Sequence, residues 1–598
     1  MMKQLTRLYL KREPLIMTMI FLLVLGVFVA LRYDYYYDLN DDLLMKDILA
    51  GVYTGEPEGR NIQMLYPIGA LIALFYRVIP SAPWYGLFLC LCQYGSLGLV
   101  VHRSLRLCSN RLIRVIVLFS SWVVITGTML EHLVFVQYTI TATMLAAAAT
   151  FLFLTADDDT DARRFFRINL PVIVLVWLAF FIRSEMILLV FPLIGMAGIY
   201  RWSLESPIFT KENAHKYLAV FGAIVVGMGI GQATHMVAYS SPAWQDFNNF
   251  FNNRTQLYDY QEMPSYPEDG DFYAGIGLTE SEANLLSNYN FGLSSEIDAR
   301  IMGEVADYAA KQRTINKPFE EQIVKKLETY YYKMTHSGEN GDFPWNVLVI
   351  LGYAGLLGIG INQRKMGGMG LKLIAIVAIR TALWLYILMV ERDPPRISHS
   401  LYYMECLMLA AMIVLTNRRA AYRLSKNIHD RLSRYFPLLI GGVATVVAGA
   451  NLSAMIGATD GQLAYRDEVN RPWLALKDYA EEHSENYYYI DIYSMVAFSD
   501  KMFVNVNNQP ANYDLMGGWA NNSPLYEEKT TYFLSGSSSS QATITMQEAL
   551  VKQENVYMIV ETGSDLTWLS DYYRDQGRGI TITKQDVITD RLEVYQIR

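Results

Sequence analysis

The chain is poor in cysteine, with four in 598 residues, at positions 90, 92, 108 and 406. All four fall in or beside apolar runs, so the long polar segments have no disulfide framework. A cysteine-free exterior points to a bacterial envelope more than to a eukaryotic secretory lumen. Charge is also scarce, at 18% of residues against 52% hydrophobic, and the mean hydropathy is positive. That balance counts against a soluble single domain and puts most of the chain in a bilayer. Lys and Arg lie in short loops rather than in one basic patch, and the net charge is −8, which argues against a nucleic-acid partner. A glycine-rich phosphate loop, a Ser-His-Asp spacing, a zinc-ligand pattern and an internal repeat are all missing. No cofactor is implied, and a divalent metal is left open without support.

Twelve apolar runs are present, the first at about 15–31 and the last at about 436–457. No small-residue cleavage site follows the first, so it reads as an uncleaved spanning helix rather than a signal peptide. Lys3, Arg7, Lys11 and Arg12 place the N-terminus on the cytoplasmic side. If all twelve runs crossed, the loop containing Arg103, Arg106, Arg111 and Arg114 would fall outside, against the positive-inside rule. The conflict disappears if the run at 65–79, flanked by Pro67 and Pro80, lies at the outer interface. Eleven spans then remain, and the basic loops 103–114, 163–167, 201–216, 364–372 and 417–434 all fall inside. The fold expected is a polytopic α-helical membrane protein with about eleven transmembrane helices over 1–457, followed by an extracytoplasmic α/β domain over 458–598. A first outer loop covers 32–83 and a large outer loop covers 239–343.

The large outer loop reads as turn-rich in its first half and helical in its second. Thr279 and Glu282 form a capping-box pattern, and 317–334 is an amphipathic helix that either rests on the membrane, covers a cavity or packs on the outer domain. From 458 onward, helices alternate with strands, including "NYYYIDIYS", "KMFVNVN", "NVYMIVE", "ITITKQ" and "RLEVYQIR" as strands and "RPWLALKDYAEEH" as a helix. The loop Met516–Pro524, "MGGWANNSP", mixes Gly, Trp and Asn, which suits either sugar contact or an ordinary turn.

Four small polar clusters land on the outer face: Asp38, Asp41, Asp42 and Asp47 after the first span; Glu131 and His132; Arg183 and Glu185; and Glu391, Arg392, Asp393, Arg396 and His399. Arg380 lies about 15 Å from the outer end of its span, where an isolated charge is costly, so a pairing with Glu405 on the next helix is expected.

The first loop, "NDDLLMKDILAGVYTGEPEGRNIQMLYPIGALIALFYRVIPSAPWYG", together with "RSEMILLVFPL" and "ERDPPRISHSLYYMECL", resembles the outer-face motifs of bacterial GT-C glycosyltransferases. The arrangement covers nearly the whole chain. "NDD" stands where many members have Asp-Glu, which leaves open which carboxylate acts. The resemblance implies transfer of a sugar from a polyprenyl-phosphate donor to a glycan, lipid or protein acceptor at the outer face of a bacterial plasma membrane, with an inverting course.

The chemistry needs the same residue types. A carboxylate near the membrane surface can deprotonate the acceptor hydroxyl, and two adjacent carboxylates raise each other's proton affinity. Asp41 is read as the base with Asp42 beside it, and Asp38 and Asp47 as structural. Guanidinium groups suit the departing phosphate, so Arg392 and Arg396 are the expected phosphate ligands and Arg183 a further candidate. Glu185, Glu131, His132 and His399 complete the candidate substrate contacts. Two other readings are a transporter or flippase of lipid-linked saccharides and a non-enzymatic glycan-binding envelope protein. A transporter would also have many spans and buried charge but would rarely need a large outer domain or carboxylates concentrated in one loop.

Overall fold

The computed structural model describes residues 2–38, 40–157, 161–336, 342–362, 366–423, 436–495, 497–507, 509–534 and 544–598. Most of the basic loop 417–434 and the start of 364–372 lie outside the described residues. The chain opens with the helix Met2–Arg32 (α1), a two-residue strand Tyr36–Tyr37 (β1) and the helix Asn40–Ala50 (α2). Asp41 and Asp42 occupy the first turn of α2, where carboxylates oppose the positive end of the helix dipole. Gly51 ends α2 at φ +84°, where a Cβ would meet the Glu56–Pro57 backbone at 2.8 Å. The helix Tyr66–Val78 (α3) has 13 residues. That makes it about 20 Å long, too short for a hydrocarbon core of about 30 Å.

The membrane part continues with α4 (Trp84–Leu107), α5 (Arg111–Val134), the strand β2 (Phe135–Val136), α6 (Tyr138–Thr155), α7 (Ala162–Ile168), α8 (Leu170–Ile182), α9 (Ser184–Trp202) and α10 (Lys211–Ala238). Five helices of the loop 239–343 follow: α11 (Pro242–Tyr260), α12 (Tyr266–Ile276), α13 (Glu280–Ser287), α14 (Ala299–Asn316) and α15 (Phe319–Thr335). The chain then returns through α16 (Trp345–Asn362), α17 (Met366–Met389), α18 (Pro395–Arg423) and α19 (Phe436–Glu482). The protein is therefore a multi-pass helical membrane protein with a small C-terminal sheet. Eleven spans are expected from the sequence; among the described residues nine helices are long and apolar enough to cross, and the pair α7–α8, bent by 48°, makes ten if counted as one. The difference is α16, whose apolar part, Trp345–Ile361, is shorter than the others.

The central helix of the bundle is α6, with 94% of its span buried. Its run Ala146–Ala149 has side chains small enough for α4, α8, α9 and α18 to pack closely around it. Among these apolar helices Arg380 of α17 and Glu405 of α18 are almost fully buried and meet at 2.7 Å, the pairing expected from the sequence. Tyr353 donates its hydroxyl to Glu405 at 2.5 Å, and Arg380 also donates to the Tyr330 hydroxyl of α15.

Outside the bundle, two segments differ from the sequence reading. The first half of the large outer loop is helical, because Trp244, Phe247, Phe250 and Leu257 form a buried apolar face on α11 that outweighs its asparagines. Pro242 starts that helix at its first position. The capping box of Thr279 and Glu282 forms at the start of α13. The segment "KMFVNVN" is irregular rather than a strand. Its backbone is taken by the first outer loop, with Met502 N–H donating to Tyr35 O at 2.9 Å and Val506 N–H to Ser81 O at 3.2 Å.

The expected boundary at 457/458 falls inside α19, a continuous helix of 47 residues that includes "RPWLALKDYAEE" as its outer end. Beyond it the five-stranded sheet has the order β4 (Tyr513–Leu515), β3 (Tyr487–Ile490), β5 (Val556–Glu561), β7 (Leu592–Ile597), β6 (Ile582–Thr589). β3 runs parallel to β4 and β5, and the β6–β7 hairpin closes the sheet in antiparallel pairing. Side chains alternate across β3. Tyr488 and Ile490 join the core that includes Trp473 and Leu476 of α19, while Tyr487 and Tyr489 join Phe250, Leu257 and Ile301 of the outer helices. The sheet thus sits between the end of α19 and the outer loop.

Removing one member of the Arg380–Glu405 pair leaves a charge stranded among apolar helices, at a cost of about 3–5 kcal/mol. Glu405→Leu and Arg380→Leu should each lower the thermal midpoint in detergent markedly, and the double variant should recover much of the loss. A double variant that melts no higher than the worse single would contradict this reading of the pair.

Candidate active site

A cavity of about 380 Å³ opens where the first turn of α2, the start of α9, α11 and the turn between α17 and α18 converge. It brings together Asp41, Arg183, Glu185, Arg392 and Arg396, residues drawn from three sequence clusters. The loop Met516–Pro524 adds Trp519, whose indole Nε1 donates to Asp41 Oδ1 at 3.1 Å. Among the described residues the other oxygen of Asp41 accepts no hydrogen bond, so it is free to take a proton from a bound hydroxyl.

Helix geometry separates the two aspartates. Adjacent residues on a helix point about 100° apart, so Asp41 faces the cavity and Asp42 faces the protein interior. Asp42, expected in the site beside Asp41, is fully buried and accepts from the Tyr85 hydroxyl at 2.7 Å. Burial pushes its carboxyl well above the ordinary range, which favours the neutral form. Asp38 is held by Arg466 at 2.7 Å and Asp47 by Lys46 at 2.7 Å, both structural ion pairs.

The four arginines of the cavity differ in how far the protein itself has satisfied them. Arg183, in extended backbone between α8 and α9, donates to Gln63, lies 3.3 Å from Glu185 and stacks 5.2 Å from the Tyr138 ring. Arg392 is paired with Asp259 at 3.0 Å and lies over Tyr260. Arg396, in the first turn of α18 after Pro394 and Pro395, makes no side-chain hydrogen bond or ion pair among the described residues and is half-buried. Arg254 of α11 is the fourth. It stacks 5.7 Å from the rings of Tyr258 and Tyr289 and makes no ion pair among the described residues, and its buried Nε has no hydrogen-bond partner. Two guanidinium groups therefore remain available to an anion.

The turn that carries Arg392 is itself anchored. Glu391 receives Lys326 of α15 at 2.9 Å with Arg313 and Lys317 at 3.6 Å, and these cations, Lys326 first, hold its carboxyl below the ordinary range. Asp393 is paired with Lys333 at 3.0 Å. The amphipathic helix α15 therefore clamps the α17–α18 turn.

Glu131, His132 and His399, expected among the substrate contacts, lie away from the cavity lining. His132 Nε2 and His399 Nδ1 share a hydrogen bond of 2.8 Å with Trp345 stacked alongside, and Glu131 sits in the field of Asp38 and Arg466. Among the described residues no three His, Cys, Asp or Glu side chains gather as a metal site. Sequence reasoning missed Gln63, Tyr138, Arg254 and Asp259. The signal for Asp259 was present in α11, where Asn252, Thr255 and Asp259 recur opposite Phe250 and Leu257, but it is readable only once that segment is known to be a helix.

No protein-family model, curated protein or solved structure matches the chain, so the site is interpreted from its own residues.

The separation of the aspartates has a measurable consequence. A buried carboxyl whose folded pKa is raised contributes its full stability below its unfolded value of about 4 and loses it as pH rises through the folded value. Asp42→Asn avoids that loss. The variant should match the native protein near pH 4 and melt at an equal or higher temperature at pH 8. A much lower midpoint at pH 8 would show that a charged Asp42 is needed for folding.

Proposed function

We propose that this chain is a GT-C type glycosyltransferase of a bacterial plasma membrane, moving a sugar from a polyprenyl-phosphate donor to a hydroxyl acceptor on the outer face. The observation that carries the reading is a single cavity, at the ends of membrane helices, whose described residues include one carboxylate, Asp41, and two guanidinium groups, Arg254 and Arg396, that make no ion pair. Asp41 takes the proton of the acceptor hydroxyl as the hydroxyl oxygen attacks the anomeric carbon from the face opposite the phosphate. The anomeric carbon–phosphate oxygen bond breaks, its electron pair stays on the phosphate, and Arg254 and Arg396 stabilise the charge that develops. Trp519 fixes the carboxylate's orientation. Arg183 and Arg392, already engaged with Glu185 and Asp259, shape the cavity and contribute less to the phosphate.

The sidedness rests on the basic loops. Arg103 to Arg114, Arg163 to Arg167 and Arg201 to Lys211 connect the helix ends opposite the cavity, which supports an inside N-terminus and an outside C-terminal sheet. Ser81 and Ser109 are both exposed. In intact cells, Ser81→Cys should react with a membrane-impermeant maleimide and Ser109→Cys should not; the reverse pattern overturns the orientation.

The reaction is tested with purified protein and a panel of labelled polyprenyl-phosphate sugars. Asp41→Asn should cut turnover by roughly 10² to 10⁴ while donor binding survives. Arg254→Ala and Arg396→Ala should each weaken donor binding about tenfold or more, and Arg392→Ala less. Full turnover by Asp41→Asn removes the base from this site, and donor that crosses vesicles unreacted identifies a flippase instead.

A further inference from the structure

A second cleft, of about 730 Å³, lies between the outer end of α19, the far half of α2 and residues 500–507 and 509–513. Its volume is nearly twice that of the cavity around Asp41 and within the range of ligand sites. Its lysines are all engaged, and the carboxylates of its lining, Asp47, Asp478, Glu481 and Asp500, outnumber them. Lys477 holds Asp500 at 2.8 Å, Lys46 holds Asp47 at 2.7 Å and Lys501 holds Asp34 at 3.0 Å, so each lysine of the cleft already has a carboxylate. A phosphate would find no spare cation there, in contrast to the unpaired Arg254 and Arg396 of the other cavity.

What the cleft does offer is uncommitted neutral and acceptor chemistry. The side chains of Asp478, Asn505 and Gln509 make no hydrogen bond or ion pair among the described residues, and together they supply amide donors and oxygen acceptors. Tyr532 stands 65% exposed at the wall and presents an aromatic face. Paired donors and acceptors beside an exposed ring match the alternation of hydroxyl edges and C–H faces on a sugar.

The cleft and the reacting group lie at the two ends of one helix. A small pocket of about 80 Å³ shares Asp47, Val52 and Tyr513 with the cleft and Trp519 with the Asp41 cavity. Helix α2 spans the distance, with Asp41 at one end and Lys46 and Asp47 at the other, about 9 Å along the axis.

We infer that this cleft is the acceptor subsite and that it takes a neutral, polyhydroxylated carbohydrate chain whose end reaches Asp41 past Trp519. The inference rests on the transferase reading above. It is tested on the full chain in nanodiscs with three fluorescent probes: a short neutral hexose oligosaccharide, a glycerol-phosphate oligomer and a flexible peptide of similar mass. The neutral oligosaccharide should bind best. Asn505→Ala combined with Tyr532→Ala, both at the exposed wall, should weaken it about tenfold, while polyprenyl-phosphate binding is unaffected by the cleft variants. Preference for the phosphate oligomer or the peptide overturns the proposal, as does oligosaccharide binding indifferent to the cleft variants. Cleft-dependent oligosaccharide binding without turnover supports the cleft and sinks the transferase reading. Turnover whose acceptor KM ignores the cleft variants sinks the cleft alone.

Discussion

The arrangement around Asp41 depends on the two-residue strand Tyr36–Tyr37. It pairs in parallel with Phe135–Val136 at the end of α5, and Tyr37 N–H donates to Asp500 O at 3.0 Å. One short stretch of backbone therefore ties the first span, the bundle and the C-terminal region together. Arg466 of α19 reinforces the junction by binding Asp38 immediately after the strand. A buried strand must satisfy its amide groups, and here the partners that do so belong to three distant parts of the chain. Helix α2 starts two residues after Asp38, so its position and rotation follow from this junction.

Once α2 is placed, its faces acquire different chemistry. Its first turn presents Asp41 to a cavity with two unpaired guanidinium groups, while Asp42 is turned inward to Tyr85. Its far half reaches a cleft in which every lysine has a carboxylate partner. Cation pairing therefore sets an anion-accepting space apart from one with no spare lysine along a single helix of 11 residues.

The outer helices make a parallel contribution from the other side. Lys326 and Lys333 of α15 hold Glu391 and Asp393, and α11 supplies Asp259 to Arg392. These ion pairs fix a turn that would otherwise link two spans loosely. Beneath it, the Arg380–Glu405 pair reaches up to Tyr330 of α15, so the same helix is coupled to both the membrane interior and the rim of the site.

Much of this was legible in order of sequence. Apolar runs of span length identify the membrane helices, because only a helix satisfies its backbone within a bilayer. The cost of a lone charge at membrane depth predicts the partner of Arg380, and Thr279 with Glu282 predicts a helix start, because both follow from rules that act within a few residues or between neighbouring spans. The short apolar runs at 487–490 and 556–561, rich in Tyr, Val and Ile, likewise mark strands. What the sequence could not determine is anything set by partners far along the chain. The segment "KMFVNVN" has strand composition, but its backbone is taken by Tyr35 and Ser81. Nothing in "NDD" says which aspartate faces a cavity, since that is fixed by the rotation of α2 against its neighbours. Which arginines remain available to a ligand depends on where Asp259 comes to lie, 133 residues from the Arg392 that it meets. Local patterning thus determined the membrane helices and most of the strands, and long-range packing decided which charges are paired across the fold, because such an ion pair exists only where the fold brings its two halves together.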